Sequence, residues 1–101
     1  MDLNQLVISE AIAPAASARP RFLHVGCGRA NYLRLPAFFR DNEWQEVRLD
    51  IDPEVNPDIV ASITDMSKVA SGSMDGLWSS HNLEHLNSYE VPIALKEFRR
   101  V

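Results

Sequence analysis

The sequence predicts an α/β fold built on a Rossmann-like parallel sheet of about four strands, and three observations predict it. An apolar run, Phe22-Leu23-His24-Val25, feeds directly into the glycine turn Gly26-Cys27-Gly28. A second apolar run, Val47-Arg48-Leu49, ends on the acidic residues Asp50 and Asp52. Further short apolar runs follow, separated by proline, glycine and serine. A strand, a turn that brings backbone close to a ligand and a carboxylate about 20 residues on describe the start of a nucleotide site.

The elements follow in order. Leu3, Leu6, Val7 and Ile8 fall at helical spacing before Pro14, and the small, proline-bounded stretch from Ala13 to Pro20 reads as a linker. Residues 1–20 are therefore expected to be an N-terminal helix and linker, and residues 21–101 a cofactor-binding unit. Arg21 to Val25 is the first strand, with Gly26 to Gly28 as its exit turn. Pro36 fits a helix's first turn and not its interior, so the next helix is short, about Leu35 to Arg40. Glu46 to Leu49 is the second strand, and Pro53 and Pro57 make its crossover a loop. Asp58 to Ile63, rich in β-branched residues, is the third strand. Ser71-Gly72-Ser73 is a turn, and Gly76 to Ser79 the fourth strand. From Ser88 onward Val91, Leu95 and Phe98 recur at helical spacing, with Lys96, Glu97, Arg99 and Arg100 opposite. Phe38, Phe39, Trp44 and Trp78 are expected in the core, as large aromatics usually are.

Composition bounds the function. The net charge of −4 and pI near 5.2 argue against a nucleic-acid partner, whose binding surface is usually basic. No run approaches the ~20 apolar residues that cross a bilayer, and no signal peptide is visible, so no membrane role is expected. Cys27 is the only cysteine, which excludes an internal disulfide and points to a reducing, cytoplasmic setting. Cys27 itself reads as a small filler of the turn.

Gly26 and Gly28 free backbone amides to reach a ligand, and an ionised Asp50 can accept from both hydroxyls of one ribose. The plainer readings are a structural turn and a solvated strand end. Asp52 reads as a turn former ahead of Pro53. A dinucleotide fingerprint wants a third glycine at position 31, where Asn31 stands, so a dinucleotide is disfavoured.

Leu23 to Gly28, Leu49-Asp50-Ile51-Asp52-Pro53 and Met74 to Leu86 together resemble the class I S-adenosylmethionine-dependent methyltransferases, most of all the type 11 group. Ile93 to Val101 is also similar to the helix before that family's fifth strand, and the resemblance spans about residues 21–101. It implies S-adenosyl-L-methionine as cofactor, methyl transfer to an unidentified acceptor, and an incomplete fold that stops after the fourth strand and its helix. Gly26, Cys27 and Gly28 would hold the methionine end, Asp50 the ribose, and Ile51 would pack on the adenine. Ser62 stands where the family often has an acid near the adenine amine, with Ile63 next and Asp65 as a substitute. Ser80 would lie near the methionine amine, and His81 is the candidate general base, with a turn histidine as its plainer reading. Two positions depart from the family pattern: His24 replaces an acid, and Ala30 replaces a glycine.

Two other functions compete. His81-Asn82-Leu83-Glu84-His85 matches the His-x-x-Glu-His pattern of inverted zinc peptidases, which needs both histidines on one helix face. A strand ending at Ser79 or Ser80 puts His81 in a turn instead, so no metal is expected. The end at Val101 suggests a non-catalytic nucleotide-binding remnant, with weak cofactor binding and little turnover. An exposed fourth-strand edge would permit self-association.

Overall fold

A computed structural model describes residues 19–40 and 43–101. The N-terminal helix and linker expected over residues 1–20 fall outside the described residues, apart from Arg19 and Pro20. Four strands, β1 (Arg21–Val25), β2 (Gln45–Asp50), β3 (Ile59–Val60) and β4 (Gly76–Ser79), form one sheet in the order β3-β2-β1-β4. Every pairing is parallel, as strands joined by crossovers require. β1 lies at the centre, with Val25 level with Leu49 of β2 and Ser79 of β4. Helix α1 (Ala37–Arg40) follows β1, and helix α2 (Val91–Arg100) follows β4.

Side chains alternate across the sheet, so the register sorts them into two faces. One face carries Leu23, Val25, Val47, Leu49 and Leu77, and it builds the core with Met66, Val69, Phe98 and Val101. The other carries Phe22, His24, Glu46, Arg48 and Trp78. There Phe22 stacks on Phe39 at 4.3 Å between centroids, and Trp44 meets both rings edge-on. This second face is aromatic at the start of the strands, and at their carboxyl ends His24 and Arg48 stand beside Trp78.

Helix α2 is set by its own ends. It follows a 3-10 turn, Ser88–Glu90, that Asn87 and Glu90 close with a reciprocal capping box, and Pro92 sits in the helix's first turn. Arg100 then clamps the 66–71 segment, donating to the Met66 and Val69 carbonyls at 2.8 and 2.9 Å and to Ser71 Oγ at 3.0 Å. Glu97 holds Arg100 at 3.0 Å and accepts from the Met66 N–H at 2.8 Å. Those bonds hold the Glu97 carboxyl below its ordinary range.

Three expectations need correction. The third strand is Ile59–Val60 alone, not Asp58 to Ile63. Ser62 Oγ accepts from the Thr64 N–H at 3.1 Å and turns the chain out of the ladder, which is how serine competes with sheet. Leu95 is 48% exposed. The inward face of α2 is instead Val91, Ala94, Phe98 and Val101, with Ala94 fully buried because a small side chain lets the helix approach the sheet. Phe38 is 67% exposed, on the outside of the aromatic cluster rather than within it. Among the described residues, no helix is long and apolar enough to cross a membrane.

Candidate functional site

The strand order reverses at β1: β2 and β3 lie to one side of it and β4 to the other. In an open parallel sheet, the crevice outside the carboxyl ends at such a reversal is where ligands bind. The loops leaving β1 and β4 meet there, and two cavities open between them.

Both glycines of the turn after β1 have left-handed backbone, φ +58° at Gly26 and +62° at Gly28, which a side chain disfavours. Gly26 has a second reason to be glycine. A Cβ there would lie 1.9 Å from Asn82 Oδ1. Asn82 Nδ2 donates to the Val25 carbonyl and to Ser79 Oγ, both at 2.9 Å, and so ties the loop after β4 to the end of β1.

Asp50, the last residue of β2, holds the glycine turn directly. Its Oδ2 accepts from the Gly28 N–H at 2.8 Å, and its Oδ1 accepts from the Asp52 N–H at 2.9 Å. Arg48 closes the turn from behind, donating to the carbonyls of Gly28 and, at 2.7 Å, Asn56. Asp52 caps the Pro53–Val55 turn by accepting from the Glu54 N–H, the role its place before Pro53 suggests. Cys27 donates its N–H to the Leu49 carbonyl, and burial pushes its thiol up against the opposing pull of Arg48. A thiol kept protonated is a filler and not a nucleophile.

The larger cavity, about 610 Å³, is lined by His24, Cys27, Arg29, Trp78, Ser80 and His81, among others. Trp78 is therefore a cavity wall, where a core residue was expected. The smaller, about 260 Å³, is lined by Asp50, Ile51, Ser62, Ile63 and Leu86, with Ala61 and His85. Gly26 and Asn82 line both, so the two form one groove pinched at that contact. Of the residues singled out in the sequence, Gly26, Cys27, Asp50, Ile51, Ser62, Ile63, Ser80 and His81 line this groove. Gly28 lies behind it, joined to Asp50. Asp65 lines neither cavity; its Oδ1 accepts from the Ser67 N–H at 3.2 Å.

His81 has φ +57° and a side chain 86% exposed, and its Nδ1 lies 3.2 Å from Glu84 Oε2. Bonding to backbone N–H and to His81 lowers the Glu84 carboxyl. Leu83–His85 is a single 3-10 turn that begins after His81, so the two histidines share no helix face. That is not the geometry of the zinc peptidase motif, and no group of three metal-ligating side chains gathers among the described residues.

Sequence reasoning missed Asn82 and Glu46. Asn82 bridges the groove, and Glu46 Oε2 sits 2.7 Å from His24 Nδ1 on the cavity wall. Neither has a local signal: each acts through a neighbour brought close only by strand pairing.

A sequence model described as a methyltransferase domain matches residues 23–101. No curated protein and no solved structure matches the chain.

Proposed function

The chain belongs to the methyltransferase domain family, and on that premise we propose that it binds S-adenosyl-L-methionine along this groove and passes the methyl group to a nucleophilic acceptor. The observation that carries the proposal is the pairing of two unlike half-sites at the reversal of strand order. One half is apolar with a carboxylate; the other is polar with arginines on its wall.

The residues present fit the two ends of the cofactor. Asp50 lines the smaller cavity, and each of its oxygens accepts one backbone N–H, which leaves further lone pairs for ribose hydroxyls. Ile51, 69% exposed and lining the same cavity, offers an apolar face to adenine, with Ile63 also on the wall and Ser62 as a polar neighbour. Gly26 and Cys27 present a narrow backbone edge beneath the methionine end, and Ser80 borders the larger cavity where that end and the acceptor meet. When bound, the cofactor supplies an electrophilic methyl group on a sulfonium. The protein's own contribution is mainly to fix donor and acceptor in line. His81, on the same wall, is the residue to take a proton from the acceptor where one must leave.

Asp50→Ala tests the cofactor half. Titration calorimetry with S-adenosylmethionine is expected to show binding by the native protein and none measurable by the variant. Unchanged affinity in the variant removes the role of Asp50.

A second reading, a cofactor-binding domain without turnover, is favoured by the exposure of His81, which leaves its imidazole solvated. Product formation from radiolabelled cofactor with candidate acceptors separates the two readings.

A further inference from the structure

Among the described residues, the larger cavity has no acidic residue on its wall, although Arg29 and Arg34 both line it. S-Adenosylmethionine brings an α-carboxylate and an α-ammonium to that end of the groove. Arginines suit the carboxylate. The ammonium needs an acceptor, and a negative charge nearby makes that acceptor far better.

One group on the wall meets both conditions. The His24 side chain is only 12% exposed, and its Nδ1 lies 2.7 Å from Glu46 Oε2. With Nδ1–H donating to that carboxylate, Nε2 is the ring nitrogen left with a lone pair to accept a hydrogen bond. Among the described residues the Glu46 carboxylate has no other hydrogen-bond partner, and Nε2 has none. Arg48, level with His24 on β2, is turned away to the carbonyls of Gly28, Val55 and Asn56. Trp78, level with it on β4, is uncharged. The other histidine–carboxylate pair of the cavity, His81–Glu84, stands in solvent, where its charge is screened.

We infer that His24 is the acceptor for the cofactor's α-ammonium and that Glu46, acting through His24, is the positioning residue that supplies the charge. This rests on the proposed cofactor site and deepens it: an acid on the neighbouring strand works through an imidazole.

Three probes separate the contact: S-adenosylhomocysteine has both the ammonium and the carboxylate, decarboxylated S-adenosylmethionine has the ammonium alone, and methylthioadenosine has neither. Glu46→Gln keeps an acceptor for Nδ1–H and removes the charge. By calorimetry this variant is expected to bind the first two about tenfold or more weakly, the loss of one charge-assisted hydrogen bond, and to bind methylthioadenosine as the native protein does. His24→Phe, which keeps bulk on the sheet and removes Nε2, is expected to show the same selective loss. Equal loss of all three ligands makes the pair a packing element and overturns the inference. Loss for S-adenosylhomocysteine but not for the decarboxylated ligand also overturns it, because the contact is then with the carboxylate. A native protein that binds none of the three removes the cofactor site itself, and the inference with it.

Discussion

Gly26 and Gly28 share a left-handed backbone but differ in their surroundings, and that difference predicts unequal effects of alanine. At Gly28 nothing lies within 4 Å of an added Cβ, so Gly28→Ala carries the conformational strain alone, about 1–2 kcal/mol. At Gly26 the added carbon meets Asn82 Oδ1 at 1.9 Å, so the loop after β4 must also move. Gly26→Ala is therefore expected to destabilise more than Gly28→Ala in urea unfolding, and Gly26→Ala combined with Asn82→Gly to recover part of the difference. Equal losses would mean that Asn82 yields freely. The glycines and Asp50 were legible in the sequence because each lies at a strand's end at a familiar spacing. Asn82 was not, because its partners Val25 and Gly26 are more than 50 residues away in the chain. Glu46 escaped for the same reason, since only the β1–β2 pairing carries it to His24.

The elements divide in the same manner. β1 and β4 have the bounds that apolar runs between turn residues suggest, Arg21–Val25 and Gly76–Ser79. β3 came out shorter, because side-chain hydrogen bonding by Ser62 outweighed the β-branched preference of its neighbours. In α2 the periodicity was visible but the face was turned: a search for large apolar residues chose Leu95, and packing chose Ala94. The polar clamp of α2 carries a pH signature. Bonds from Arg100 and from the Met66 N–H lower the Glu97 carboxyl, so the folded state holds that proton less tightly than the unfolded chain. Its contribution to stability is then fully present above the unfolded value of about 4.3 and is lost as pH falls through the lower folded value. Glu97→Gln is expected to lower the urea midpoint at pH 7, with the gap to the native protein narrowing as pH falls below about 4. A gap that stays constant with pH would assign Glu97 no ionic role.

At the scale of the whole molecule, the strand order decides where function can sit. Only the reversal at β1 brings the ends of β1, β2 and β4 to one groove, and the strand ends and loops there carry its polar groups. The parallel α/β class was legible because short apolar runs alternated with turns and helical patterns. The division of the groove by Gly26 and Asn82 was not, since it depends on how two loops meet in space. The chain's net charge of −4 is unevenly used: arginines line the larger cavity with Glu46 behind it at His24, and Asp50 lines the smaller one. That arrangement suits a ligand bearing both charges at one end and a ribose at the other. Titration calorimetry of the native protein with S-adenosylmethionine, run beside NAD, tests the central claim most directly. Saturable one-to-one binding of S-adenosylmethionine with no heat from NAD is the predicted result. Binding of NAD in preference, or of neither, would contradict the account.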